Sequence, residues 1–123
     1  MWTNAADYLM RELIADDVYG FTLGAVAAPN VESLRDYQLG SPSPYFSKEL
    51  TAADIVIDHV TDVVTVTCVV EEGEANGTTW TEIGLFSKRN GGVFMLMREV
   101  LTISENKNGT KRFVYIFKLK VHV

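Results

Sequence analysis

Cysteine is all but missing from this sequence: the only one among 123 residues is Cys68. An intramolecular disulfide is thereby excluded, and so is a zinc site built on paired cysteines. Histidine is nearly as scarce, with only His59 and His122. Basic residues number 11 against 16 acids, a net charge of −5, which disfavours a nucleic-acid partner. No apolar run reaches the length of a membrane-spanning helix. The opening "MWTNAADYLM" has no basic region followed by a long apolar stretch, so no signal peptide is expected. The sequence also lacks G-x-S-x-G, a phosphate-cradling glycine loop and H-E-x-x-H, so the common hydrolase and metalloprotease signatures are missing. What is present is an ordinary globular composition, 47% hydrophobic and 22% charged. The length fits one domain over 1–123, able to bury a core without staples.

Charge is divided unevenly along the chain. Residues 1–62 carry three bases against ten acids, a balance of −7, and residues 63–123 carry eight bases against six acids, or +2. An acidic front and a basic back suit head-to-tail contacts between copies, although two solvated faces would give the same pattern. The first predicted element is a helix over about 4–17, with Asn4 as its N-cap and Asp7 in the first turn, where the helix dipole favours an acid. Ala6, Leu9, Met10, Leu13 and Ile14 have the spacing of one buried stripe. A short strand, "YGFTLG", follows. Residues 25–53 contain all three prolines and predict a long irregular connection with at most a short helix in "VESLRDYQL".

From Asp54 to about residue 122 the periodicity is two. "DIVIDHV", "VVTVTCVV", "TWTEIGLFSK", "VFMLMREVLTI" and "TKRFVYIFKLKV" read as half-buried antiparallel strands. In the second, Val64, Val66, Cys68 and Val70 share a face. In the fourth, Met95 and Met97 face one way, and Phe94 and Leu96 the other. In the fifth, Phe113, Tyr115, Phe117, Leu119 and Val121 oppose Val114 and Ile116. Asn-Gly in "RNGG" and "ENKNG" predicts tight hairpin turns after the third and fourth of these strands. The expected fold is mainly β: an antiparallel β-sandwich of about six strands with one N-terminal α-helix.

Several groups invite a chemical reading. Asn76-Gly77-Thr78 and Asn108-Gly109-Thr110 match the glycosylation sequon, but Asn-Gly before Thr is also ordinary turn-to-strand chemistry. Cys68 lies on the apolar face of a valine-rich strand with no basic neighbour to activate it. Glu71, Glu72 and Glu74 read as a solvated turn rather than a calcium loop. Trp80, Phe94, Tyr115 and Phe117 are spaced either for a core or for a sugar-binding platform. No catalytic residue, metal ligand or cofactor is predicted, and the expectation is that the chain is not an enzyme.

The segment "GEANGTTWTEIGLFSKRNGG", Gly73 to Gly92, resembles a small module of tailed-phage virion proteins. The matching residues are Gly73 to Gly77, Trp80 to Phe86 and the hairpin at Asn90-Gly91. The upstream order, a helix, a strand ending "TLG" and a proline-containing loop, is similar to that family as well. The resemblance implies a β-sandwich that builds a virion: a tail, baseplate or collar adaptor, or a fibre-attachment subunit. A capsid decoration protein and a lectin-like glycan-binding module are the alternatives. It implies other virion proteins and copies of itself as partners, a homo-oligomer with neither nucleic acid nor membrane, assembled in the host cytoplasm and located in the virion. Within the motif, Asn76, Gly77, Trp80, Glu82, Gly84 and Phe86 are the structural residues. Period two places Trp80, Glu82, Gly84 and Phe86 on one face, with Glu82 expected to meet a backbone N–H of the 73–79 loop or a base on a neighbouring strand.

The expected interface comprises Tyr45, Phe46, Phe94, Leu96, Val114 and Ile116. The last four give strands four and five apolar residues on both faces, which predicts a cover from another chain or from the helix. Tyr45 and Phe46 anchor an arm, residues 25–53, that would order by lying on an adjacent subunit, or as a cover over the edge of its own sandwich.

Overall fold

The computed structural model of the chain describes residues 3–24, 46–89 and 92–121. The helix, α1, runs Asn4–Asp17 and is followed directly by strand β1, Val18–Gly24. Strands β2 (Phe46–Glu49), β3 (Ile55–Asp58), β4 (Val63–Val70), β5 (Thr79–Arg89), β6 (Gly92–Asn106) and β7 (Phe113–Lys120) complete the fold, with a 3₁₀ turn at Ala52–Asp54. Two antiparallel sheets result. Sheet A has the order β2-β1-β5-β6 and sheet B the order β3-β4-β7. Seven described strands thus form the expected sandwich, one more than expected. The extra one is β2, which lies inside the stretch expected to be irregular.

The core lies between the sheets. Sheet B contributes Val64, Val66, Cys68 and Val70, all fully buried, with Phe117 from β7. Sheet A contributes Phe21 and Leu23 from β1 and Trp80, Ile83 and Leu85 from β5. The strict alternation of "VVTVTCVV" in the sequence is therefore the alternation of burial in β4. Gly20 has a separate role. A Cβ there would lie 2.4 Å from the Lys48 carbonyl oxygen, so only glycine lets β2 pair this closely with β1.

Four expectations about local structure are corrected. The N-cap of α1 is Thr3, not Asn4: its hydroxyl accepts the Ala6 N–H at 3.1 Å. The inward face of α1 is Asp7, Arg11 and Ala15, while Leu9, Met10 and Leu13 face solvent. Periodicity locates an apolar stripe, but the polar end of the sandwich offers Arg11 better partners than it offers a leucine. The "ENKNG" turn is not a hairpin, because β6 belongs to sheet A and β7 to sheet B; the connection crosses between the layers. Finally, the pairing of β6 skips Leu96, since Leu85 faces Met97 and Phe86 faces Met95. That bulge puts Met95 and Met97 on opposite faces, and only Met97 packs against the core.

Phe46 is also reassigned. It is a partly buried residue of β2 whose ring lies 6.2 Å from that of Phe21, against the chain's own core. Among the described residues of the proposed arm, 46–53, the intramolecular cover is what the structure contains. Tyr45, the rest of the arm, the short helix in "VESLRDYQL" and the Asn90-Gly91 turn lie outside the described residues.

Candidate functional site

The segment 73–89 is held by contacts that the sequence does not advertise. Its turn contains two residues of positive φ, Ala75 at 53° and Gly77 at 81°, the second suited to glycine. The Gly77 N–H donates to the Lys107 carbonyl at 3.0 Å, and the Lys107 N–H donates to the Thr78 carbonyl at 3.0 Å. Between these bonds the Lys107 side chain turns inward and is 1% exposed. Its ammonium donates to the Glu72 carbonyl (2.8 Å), the Asn76 Oδ1 (2.9 Å) and the Asn108 carbonyl (2.9 Å). All three ammonium hydrogens are thus satisfied, which is the condition for burying a lysine. Asn76 serves as an acceptor in this cage.

Glu74 fastens the other side of the turn. Its Oε1 accepts from Lys48 Nζ at 2.7 Å and from the Glu71 N–H at 2.9 Å. Lys48 also donates to the Val69 carbonyl at 3.1 Å, so β2, the end of β4 and the turn meet at one ammonium. Burial opposes ionisation of Glu74. The hydrogen bonds from Lys48 and Glu71 and the charges of Lys48 and Lys107 outweigh it and hold the carboxyl below its ordinary value.

Trp80 is fully buried. Its indole N–H donates to the Tyr115 hydroxyl at 2.8 Å, and its ring meets Phe113 edge-on at 5.3 Å. The tryptophan thereby joins β5 of sheet A to β7 of sheet B. Glu82, Gly84 and Phe86 are buried too, but not on the same face as Trp80. The β5–β6 register shifts between Trp80 and Glu82, and the core set continues as Ile83 and Leu85. Glu82 and Gly84 therefore lie on the side of sheet A turned away from the core. Gly84 sits there between its cross-strand partners Thr22 and Arg98. Glu82 meets a base on a neighbouring strand: Arg98 Nη2 is 3.6 Å from its Oε2. Among the described residues neither carboxylate oxygen accepts a hydrogen bond.

A second polar cluster, without a signature in the sequence, anchors α1. Arg11 Nε donates to His59 Nδ1 at 2.9 Å, and its Nη1 reaches the Val121 carbonyl at 2.9 Å and Asp62 Oδ1 at 3.0 Å. His59 Nε2 is 2.9 Å from Glu12 Oε1, and the imidazole stacks on Tyr8 at 3.8 Å. Because Nδ1 accepts from Arg11, Nε2 is the nitrogen that donates to Glu12. The arrangement fixes the helix against the end of the sandwich. Cys68 is fully buried, and burial, with a contribution from the Asp54 charge, pushes its thiol up to about 12. Among the described residues no group of three or more His, Cys, Asp or Glu is placed to hold a metal ion, and no helix is long and apolar enough to cross a membrane.

Of the candidate interface residues, Phe94, Leu96, Val114 and Ile116 are exposed, each by 40% or more. Trp80 and Phe117 are buried and Tyr115 is partly buried against the core, so of the four aromatics that could have formed a platform Phe94 is the exposed one. No family model matches the chain, and neither a curated protein nor a solved structure does.

Proposed function

We propose that this chain is a non-enzymatic structural protein of a tailed-phage virion, a small β-sandwich acting as a tail, baseplate or collar adaptor or as a fibre-attachment subunit. One observation carries the reading beyond the resemblance of residues 73–92. Distinctive side chains of that segment are engaged within the chain itself, while large apolar side chains stand outside. Asn76 holds Lys107, Trp80 ties the two sheets together, and Glu82 pairs with Arg98. Meanwhile Leu9, Leu13, Val56, Val114 and Ile116 face solvent. A chain that commits its most distinctive residues to its own rigidity and leaves apolar faces open is suited to assembly. The engagement of Trp80 with Tyr115 inside the chain favours assembly over a glycan-binding platform built on these aromatics.

The test is quantitative mass spectrometry of gradient-purified particles. The reading expects this chain at a fixed copy number per particle, retained through high-salt washing. Its absence from particles, or recovery only in the soluble fraction of infected cells, contradicts it.

A further inference from the structure

Helix α1 is mounted with its polar side inward. Asp7, Arg11 and Ala15, spaced four apart, are buried, and Arg11 is locked by His59, Asp62 and the Val121 carbonyl. The outward side carries Leu9, 59% exposed, and Leu13, 51% exposed, beside Met10. Acids border this stripe: Asp16 is exposed, and the partly exposed Glu12 is held by His59. The one base of the helix, Arg11, is buried. The solvent side of α1 is therefore apolar and acidic, with no cation.

The outer face of sheet B has the complementary character. Register places Val56 beside Thr65 and Lys118, Thr67 beside Ile116, and Val69 beside Val114. Val56 and Ile116 are about as exposed as Leu9, at 60% and 58%. Lys118 and Lys120 stand at one end of this face. Among the residues of β3, β4 and β7 the one acid is Asp58, whose carboxylate is already engaged by the N–H groups of Val60 and Thr61, and Glu71 at the opposite end is paired with Arg112. The dimensions agree as well. A 14-residue helix is about 21 Å long, and an eight-residue strand such as β4 extends about 27 Å.

We propose that the apolar stripe of α1 in one copy seats on the outer face of sheet B in the next copy, with Asp16 toward Lys118 and Lys120. The two surfaces differ, so the contact is heterologous. Each bound copy keeps one helix and one sheet face open, and repetition builds a ring or a filament. The inference rests on the assembly reading above and adds the partner, the two surfaces and the polarity of the contact.

The experiment uses the full chain and two variants, Leu13→Glu and Ile116→Glu. Both positions are exposed, and circular dichroism melts check that the variants stay folded. Sedimentation velocity over rising concentration is expected to show association of the wild type. Each variant alone should associate at least about tenfold more weakly, as for loss of an interface anchor. An equimolar mixture should form a dimer and nothing larger, because the helix of the Ile116→Glu chain can still seat on the sheet of the Leu13→Glu chain. Reversing Asp16→Lys should weaken wild-type association, and adding Lys118→Glu should restore it. A wild type that stays monomeric up to about 1 mM, where even weak contacts register, overturns the proposal. So do variants that associate like wild type, or a mixture that forms no dimer. The virion reading is tested apart from this. Particles that incorporate Leu13→Glu normally refute the contact and leave that reading standing; a complementing pair absent from particles does the reverse.

Discussion

Replacing Lys107 with Met removes one buried ammonium and leaves three acceptors behind. These are the carbonyls of Glu72 and Asn108 and the Asn76 Oδ1, all within 2.9 Å of Nζ. A buried acceptor without a donor costs about 1–3 kcal/mol, so three would cost up to about 9 kcal/mol. Two effects reduce this. The lysine no longer pays its own desolvation, and water can reach the rim of the turn, where Glu71 is half exposed. A net loss of about 3 kcal/mol is the expected outcome, a large part of the roughly 5–15 kcal/mol available to a domain. Unfolding entropy at about 2 cal/mol/K per residue converts that loss into a melting temperature about 12 °C lower. Lys107→Arg should rescue little, because a planar guanidinium cannot direct three donors as the tetrahedral ammonium does. Lys111→Met is the control: Lys111 is exposed, and such a change stays within about 0.5 kcal/mol. Urea and thermal melts of the three variants decide the matter. A Lys107→Met melt that coincides with that of Lys111→Met would refute the cage.

Other outcomes follow from the same contacts. Trp80→Ala should cost about 3–5 kcal/mol, the range for deleting a buried aromatic, and Trp80→Phe should cost less while still losing the bond to Tyr115; equilibrium denaturation separates the two. Gly20→Ala drives a Cβ against the Lys48 carbonyl, so hydrogen exchange should show faster exchange across 46–49 with the β4–β7 pairing preserved. The Cys68 thiol, pushed up to about 12 and fully buried, should resist alkylation at pH 8 and become labelled only as denaturant unfolds the chain. The Glu74 carboxyl is held below its unfolded value of 4.5. Its contribution is therefore present above that value and disappears as pH falls through the lower folded value. A Glu74→Gln chain should show a shallower loss of stability in that acid window than the wild type.

Much of the fold is legible in the sequence because β4 and β7 alternate cleanly, and one solvated face leaves period two intact. The helix is legible in extent but not in orientation. Leu9, Met10 and Leu13 form a real stripe, but local pattern cannot reveal that Arg11 finds His59, Asp62 and the Val121 carbonyl 48 to 110 residues away. The face of Trp80 was misread for a related reason: β5 changes register between Trp80 and Glu82, and an irregularity has no periodic signature. Lys107 carries no signal in the sequence, because a lysine beside Asn-Gly in a polar turn reads as solvated. Its cage appears only when the 71–78 and 107–108 segments come together across the sandwich. Phe46 read as an arm because prolines precede it, whereas "FSKE" pairs with β1 once Gly20 clears the way.

Whether the chain is a building block of a virion is tested most directly by an electron-microscopy map of the intact particle at side-chain resolution. The account predicts density for this sandwich in a repeating ring or shell, Trp80 inside each copy and helix α1 of one copy lying across β3, β4 and β7 of its neighbour. A map in which every repeating component is accounted for by other chains, with none carrying this fold, would contradict it.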